Sequence, residues 1–196
     1  MRALTATEFQ LQVAANPRWA ADLAEPLEVS TYCNMQGSPI QKLSPFLHFK
    51  GRTDDGSVAD FSNCKCLTHL EGHFYGWSNF GESGIETIGD LTVHEPDAVG
   101  EAMSLAGCSS LQTASGTFHG RVDFSNSGIQ SIGELRITPA STQQKAIFLN
   151  CTQIKHPPAY LLGKDYIIDA QLRGRIKTQQ RKDAQKKLSQ GTGIEI

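Results

Sequence analysis

The sequence lacks any long hydrophobic run, since no stretch of about 18 consecutive apolar residues occurs in its 196 residues. We therefore expect no membrane-spanning helix. The N-terminus also lacks the basic-then-apolar layout of a secretory signal peptide. The five cysteines are an odd number and no secretion signal accompanies them, which favours reduced thiols. We expect a cytoplasmic protein.

Common catalytic motifs are also missing. The chain has no Gly-x-Ser-x-Gly, no glycine-rich phosphate loop and no His-Glu-x-x-His. Carboxylates such as Glu82, Glu86 and Asp90 fall at loop or exposed positions of the pattern and do not converge. We therefore expect a protein that is not an enzyme and has no cofactor. A carbohydrate-active or zinc enzyme is the less favoured alternative.

What the sequence does contain is a repeat. Residues 61–104 align with residues 105–148 at a fixed offset of 44. Matching pairs include Cys64 with Cys108, Phe74 with Phe118, Ile85 with Ile129 and Leu91 with Leu135. Self-similarity at a fixed period is typical of stacked units, each too small to bury its own apolar face alone.

Each 44-residue unit divides into a short and a long turn. The leading apolar positions are spaced by 19, 25, 19 and 24 residues: Phe61, Phe80, Leu105, Phe124 and Phe148. A weaker turn around residues 35–46 precedes them. The spacing predicts about six turns with apolar columns pointing inward.

Two segments resemble a known family. Phe61-Ser-Asn-Cys64-Lys-Cys-Leu67 and Ser83-Gly-Ile-x-x-Ile-Gly-x-Leu-x-Val93 are similar to the irregular leucine-rich repeats of bacterial and prophage proteins. The resemblance covers roughly residues 30–160. It implies a mainly β fold with helical caps, a leucine-rich-repeat-like right-handed β-solenoid. Strict Leu-x-x-Leu-x-Leu-x-x-Asn is absent, so a regular horseshoe is not expected.

The chain divides into three predicted parts. Residues 1–26 form a helical hairpin cap, because Thr5-x-x-Glu8 is a capping-box pattern and Asn16-Pro17 starts a second helix. Residues 27–168 form the solenoid. Residues 169–196 form a basic C-terminal helix or tail.

A weak metal-site candidate lies at the start of the repeat. Four potential zinc ligands fall within ten residues: Cys64, Cys66, His69 and His73. Their spacing fits neither common finger nor ribbon patterns. The second copy of the repeat replaces the last three with Ser110, Thr113 and Thr117. We therefore favour a core position for Cys64 and surface positions for the others, with no metal bound.

The best candidate for a binding surface surrounds Phe74 and Phe118. Both phenylalanines share an inward column, so their alternating neighbours should point outward: His73, Tyr75, Trp77, His119 and Arg121. Exposed Tyr, Trp and Arg are frequent hot spots of protein interfaces. The alternative is that these side chains only cover loops.

The basic residues are concentrated near the C-terminus. Seven lie within residues 173–187, against Asp183 alone: Arg173, Arg175, Lys177, Arg181, Lys182, Lys186 and Lys187. Such a segment could contact phosphates or an acidic protein. It could equally be a solvated end that aids solubility.

These observations together favour a non-enzymatic protein–protein interaction module. Its finer form would be a phage- or mobile-element-encoded inhibitor that binds and blocks a host protein complex. The alternative is a nucleic-acid-associated protein that contacts phosphates through the basic tail. We expect a protein partner and no association with a membrane. Whether the chain forms a homo-oligomer is left open.

Overall fold

A computed structural model describes residues 1–138 and 145–191, with side chains through Lys187. In this part of the chain, 14 strands, two α-helices and two 3-10 turns are present. In chain order the elements are β1 (Arg2–Leu4), α1 (Ala6–Ala15), the 3-10 turn Trp19–Ala21, β2 (Leu27–Val29), β3 (Cys33–Asn34), β4 (Leu47–Phe49), β5 (Ser57–Asp60), β6 (His69–Phe74), β7 (Trp77–Asn79), β8 (Thr87–Val93), β9 (Glu101–Ser104), β10 (Thr113–His119), β11 (Arg121–Asp123), β12 (Ser131–Thr138), β13 (Ala146–Phe148), the 3-10 turn Ala159–Leu162, β14 (Tyr166–Ile168) and α2 (Ala170–Gly191).

The strands form two seven-stranded sheets in which every described pair is parallel. Sheet 1 has the order β1-β2-β4-β6-β8-β10-β12, and sheet 2 has the order β14-β13-β11-β9-β7-β5-β3. From β2 to β13 the chain alternates between the sheets. The elements β6 to β9 recur 44 residues later as β10 to β13.

The predicted mainly β, leucine-rich-repeat-like right-handed solenoid of about six turns was wrong. The fold is a two-sheet, all-parallel α/β arrangement rather than a closed solenoid. Clear strand alternation was visible in the sequence only at segments such as Leu91-x-Val93. Next to Gly76 and Gly120 the chain leaves one sheet and begins a three-residue strand of the other, which is too short to give a periodic signal.

The core lies between the sheets and is rich in phenylalanine. Eight phenylalanines are fully buried: Phe9, Phe49, Phe61, Phe74, Phe80, Phe118, Phe124 and Phe148. Three pairs stack across neighbouring strands or turns, with ring centroids 4.8 Å (Phe49–Phe74), 5.2 Å (Phe61–Phe80) and 5.1 Å (Phe124–Phe148) apart. Such ring pairs stabilise beyond the apolar area that they bury.

A column of left-handed residues follows the sheet 2 strands. Its members all have φ between 57° and 73°: Gly37, Asn63, Glu82, Gly107, Asn126 and Asn150. Their backbones form a ladder, in which the Asn63 N–H donates to the Gly81 carbonyl and the Glu82 N–H to the Ala106 carbonyl. Glycine and asparagine tolerate this conformation, whereas a glutamate there is strained.

From Asn63 onward, the residue that follows each member of this column is a small, buried Cys or Ser. The thiols of Cys64, Cys108 and Cys151 donate to the carbonyls of Met35, Phe80 and Phe124, each at 3.1 Å. Ser83 and Ser127 alternate with them in the column. These three cysteines are free thiols, and burial raises the pKa of Cys64 to about 11. The column is therefore a part of the core in which the buried thiols have hydrogen-bond partners.

The N-terminal segment contains one α-helix, not the two predicted. Thr5 and Glu8 form the expected capping box at the start of α1. Phe9 of α1 packs edge-on against Trp19 and Phe49, and the Gln10 side-chain amide donates to the Asn34 carbonyl at 2.5 Å. The second predicted helix is only the 3-10 turn Trp19–Ala21.

The C-terminal segment is helical, as α2. Asp169 Oδ1 accepts a hydrogen bond from the Leu172 N–H at 2.7 Å and caps its first turn. Leu172 and Ile176 are buried, while most of the later side chains are exposed. Residues 192–196 of the predicted tail lie outside the described residues.

Glu82 offers a direct test of the left-handed column. We expect Glu82→Asn to raise the free energy of unfolding by about 1 kcal/mol, because asparagine adopts this conformation at lower cost. For a chain of this size that is about 2–4 °C in Tm. The converse change, Asn63→Glu, should lower Tm by a similar amount, because Asn63 has the same left-handed backbone. Equal Tm values for Glu82→Asn and the wild type in calorimetry would contradict a strained backbone at Glu82.

Candidate functional site

A row of histidine and tyrosine side chains lies on the outer face of sheet 1. Phe49 and Phe74 point into the core, so the strand alternation places His48, His73 and Tyr75 on the opposite face. His48 and His73 are register partners on β4 and β6, and their rings stack with centroids 4.6 Å apart.

His94 extends the row at the end of β8. Its Nε2 lies 3.2 Å from Nδ1 of His73, which makes a hydrogen bond between the two rings. The His94 ring also stacks on Tyr75, with a centroid distance of 4.3 Å and an interplanar angle of 11°. We call His48, His73, Tyr75 and His94 the histidine–tyrosine row.

Lys50 and Glu28 border the row. Lys50 Nζ lies 5.3 Å from the centre of the Tyr75 ring and 2.9 Å from Glu28 Oε2. The hydrogen bond from Lys50 to Glu28 raises the pKa of Lys50, so the ammonium stays charged. Its position over the ring is that of a cation–π contact.

Backbone pairing holds the row in place. The Tyr75 N–H donates to the Phe49 carbonyl at 3.0 Å, and the His94 N–H donates to the Phe74 carbonyl at 2.8 Å. All four side chains are half-buried. The row is therefore a partly exposed aromatic surface whose geometry is fixed by three neighbouring strands.

Two histidines of the row favour the neutral form. Burial lowers the pKa of His48, and the nearby His73 and Lys50 lower it further. Burial also lowers the pKa of His94, with His73 and His119 as the next causes. In addition, His48 Nδ1 is buried without a hydrogen-bond partner among the described residues. At neutral pH, His48 and His94 therefore contribute uncharged aromatic rings to this surface.

The five predicted binding residues are divided between the two sheets. His73 and Tyr75 belong to the row, and His119 is exposed on β10 nearby. Trp77 and Arg121 lie past the corner, on β7 and β11 of sheet 2. Trp77 is half-buried with its Nε1 shielded from solvent, and Arg121 pairs with Glu101. They do not form one face with His73.

Sequence reasoning missed His48, Lys50 and His94. A signal was present, because Leu47-x-Phe49 matches the alternation around Phe74 and therefore predicts an outward side chain at position 48. Which outward residues become neighbours depends on the strand register. This register could not be predicted for β4, because β4 lies before the two aligned copies of the repeat, which begin at residue 61.

The structure does not bring the four candidate zinc ligands together. Cys64 is buried in the core, Cys66 is exposed, His69 contacts Thr68 and His73 belongs to the row. Within residues 1–138 and 145–191, no three His, Cys, Asp or Glu side chains are arranged to hold a metal ion.

The predicted basic tail lies along α2. The Arg175 guanidinium is used structurally, since it donates to the carbonyls of Thr152 and Ile154. The other six basic residues are exposed: Arg173, Lys177, Arg181, Lys182, Lys186 and Lys187. The helix therefore carries positive charge into solvent from a body that is negatively charged overall.

Comparison with protein-family models, curated proteins and solved structures gives no match for this chain. Among the described residues, no helix combines the length and apolar character needed to cross a membrane.

The lowered pKa values predict a pH dependence of stability. His48 and His94 have folded-state pKa values below 6.5, so the unfolded chain takes up protons first as the pH falls. The contribution of these two histidines to the free energy of unfolding is fully present above about pH 6.5. It is lost as the pH falls towards their folded-state pKa values. We expect Tm to drop between pH 7.5 and pH 5, measured by circular dichroism.

The double variant His48→Gln/His94→Gln should lose less of its Tm over the same pH range. The control is His156→Gln, which removes an exposed histidine distant in sequence from the row and should behave as the wild type. An equal drop in all three proteins would contradict the assignment.

Proposed function

We propose that this chain is a non-enzymatic protein-binding module that uses the histidine–tyrosine row as its contact surface. The observation that carries the proposal is the unbroken series of ring contacts on the outer face of sheet 1: His48 stacks on His73, Tyr75 stacks on His94, and the tilted rings of His73 and His94 join the two pairs. Tyrosine and other aromatic side chains are enriched at protein interfaces because they bury large areas at a low entropic cost.

Preorganisation supports this proposal. The ring stacking and the backbone bonds at Tyr75 and His94 fix the side chains before a partner arrives. Little rotamer freedom then remains to be lost on binding, so more of the contact energy contributes to affinity. Neutral imidazoles also cost less to desolvate than charged ones.

The proposed mechanism is occupancy. A partner that buries its own apolar patch against the row, with polar contacts from Lys50 and Glu28 at the border, would be blocked or tethered without any chemical step. Inhibition of a host protein complex by a phage- or mobile-element-encoded protein is the finer form of this proposal.

The basic helix α2 supports a second candidate, contact with nucleic acid. The side chains of Lys177, Arg181 and Lys182 are exposed along the part of α2 that follows its anchor at Ile176. Exposed Lys and Arg on a helix can neutralise phosphates, and such binding weakens steeply with salt. The overall net charge of −2 opposes it.

Affinity capture with matched variants distinguishes these two surfaces. A protein that the wild type captures is first purified, and its affinity for each variant is then measured. We expect Tyr75→Ala/His94→Ala to bind it at least about tenfold more weakly, since hot-spot truncations cost 2 kcal/mol or more. Tyr160→Ala is the control, because it removes a different tyrosine ring that is 49% exposed. It should bind as the wild type does.

A third variant, Lys177→Gln/Arg181→Gln/Lys182→Gln, tests the second candidate. Unchanged protein binding by this variant agrees with the row as the contact surface. If binding is instead lost only in this variant, and is abolished by nuclease or by raised salt, the function belongs to α2 and the first proposal is wrong.

A further inference from the structure

The strand β12 forms the last edge of sheet 1. It is eight residues long, whereas β1 at the opposite edge has three. Among the described residues, no strand pairs with the outer side of β12. The Lys155 N–H donates to the Gln130 carbonyl just before the strand begins, and the 3-10 turn Ala159–Leu162 packs on β14 and α2 instead.

The inward side chains of β12 are incompletely covered. Ile132, Leu135 and Ile137 are only half-buried. The equivalent residues of β8, one repeat earlier, are 8% (Ile88), 2% (Leu91) and 0% (Val93) exposed. The two sets have the same place in the repeat, and β8 differs in having a strand on each side. The missing burial therefore marks a place where one more strand fits.

On its outer side, the β12 backbone also has no hydrogen-bonded strand among the residues that the structure describes. The Thr138 carbonyl accepts from the Gly120 N–H at 2.9 Å, so the peptide groups of Thr138 face β10. Because successive residues of a strand alternate, those of Arg136 face β10 as well, while those of Leu135 and Ile137 point outward. An open edge of this length is a template for pairing with another chain.

The charges on this edge are self-complementary. Glu134 and Arg136 flank Leu135 on the outer face and have highly exposed side chains, at 89% and 76%. In an antiparallel pair with a two-fold axis at Leu135, each Glu134 would lie opposite Arg136 of the second copy. Leu135 would then meet its own equivalent in a hydrogen-bonded pair, and Gly133 would oppose Ile137. A two-fold contact requires this kind of self-matching surface.

We propose that β12 is the interface of a homodimer, formed by antiparallel pairing of two β12 strands centred on Leu135. The two copies of sheet 1 then join into one continuous sheet, in which the half-exposed Leu135 is covered by its own equivalent and Ile137 lies beside the Gly133 backbone of the second copy. This surface is distinct from the histidine–tyrosine row, so each protomer keeps its row and the dimer carries two of them.

Charge reversal tests the proposal on the full chain. Sedimentation equilibrium of the wild type should show a dimer. In the Glu134→Arg variant, the new guanidinium group lies opposite Arg136 of the other copy, once on each side of the two-fold axis. In the Arg136→Glu variant, two carboxylates lie opposite each other at the same two places. Each single variant should dissociate at least roughly tenfold more readily, because like charges on directly opposed strand residues repel.

Restoration makes the test specific. The double variant Glu134→Arg/Arg136→Glu should dimerise as the wild type does, and an equimolar mixture of the two single variants should form heterodimers. Asp90→Arg, at the position of β8 equivalent to Glu134, is the control and should leave the dimer unchanged. Circular dichroism confirms that each variant is folded.

Two outcomes overturn the proposal. One is a wild-type protein that stays monomeric throughout the concentration series, in which case the β12 edge is free for another protein or is not used. The other is a dimer whose dissociation constant is the same in the folded single variants, which would place the interface elsewhere.

Discussion

Parallel pairing between neighbouring repeat segments is the constraint on which the rest of the structure depends. It fixes the stacking of Phe49 on Phe74 in the core and of His48 on His73 outside, because both pairs are set by the same register of β4 and β6. A left-handed turn follows each sheet 2 strand from β3 to β13 and keeps the spacing between segments. The inner and outer faces therefore cannot be changed independently of each other.

The sequence predicted the core better than the surface. Phe74 and Phe118 are buried, as their shared place in the repeat requires, and the capping box at Thr5 is present. These features depend on local spacing, which a sequence displays directly. The division into two sheets was missed because strands such as β7 and β11 have only three residues, and so give no measurable period.

The candidate site illustrates the same limit. His73 and Tyr75 could be predicted as outward-facing from their position beside Phe74, but their partners could not. His48 and His94 lie about 20–25 residues away in the chain and become neighbours only through the register. Trp77 was assigned to the same face because alternation continues past Gly76, although the backbone turns into sheet 2 there.

The proposed contact surface requires that the backbone holds the histidine–tyrosine row rigid in the free protein. Hydrogen exchange at single-amide resolution measures this directly, through the Tyr75 and His94 amides that donate to the Phe49 and Phe74 carbonyls. We expect both amides to exchange as slowly as those in the interior of β6 and β8. Exchange at the rate of an unstructured peptide, while the neighbouring core amides stay protected, would contradict a preorganised surface.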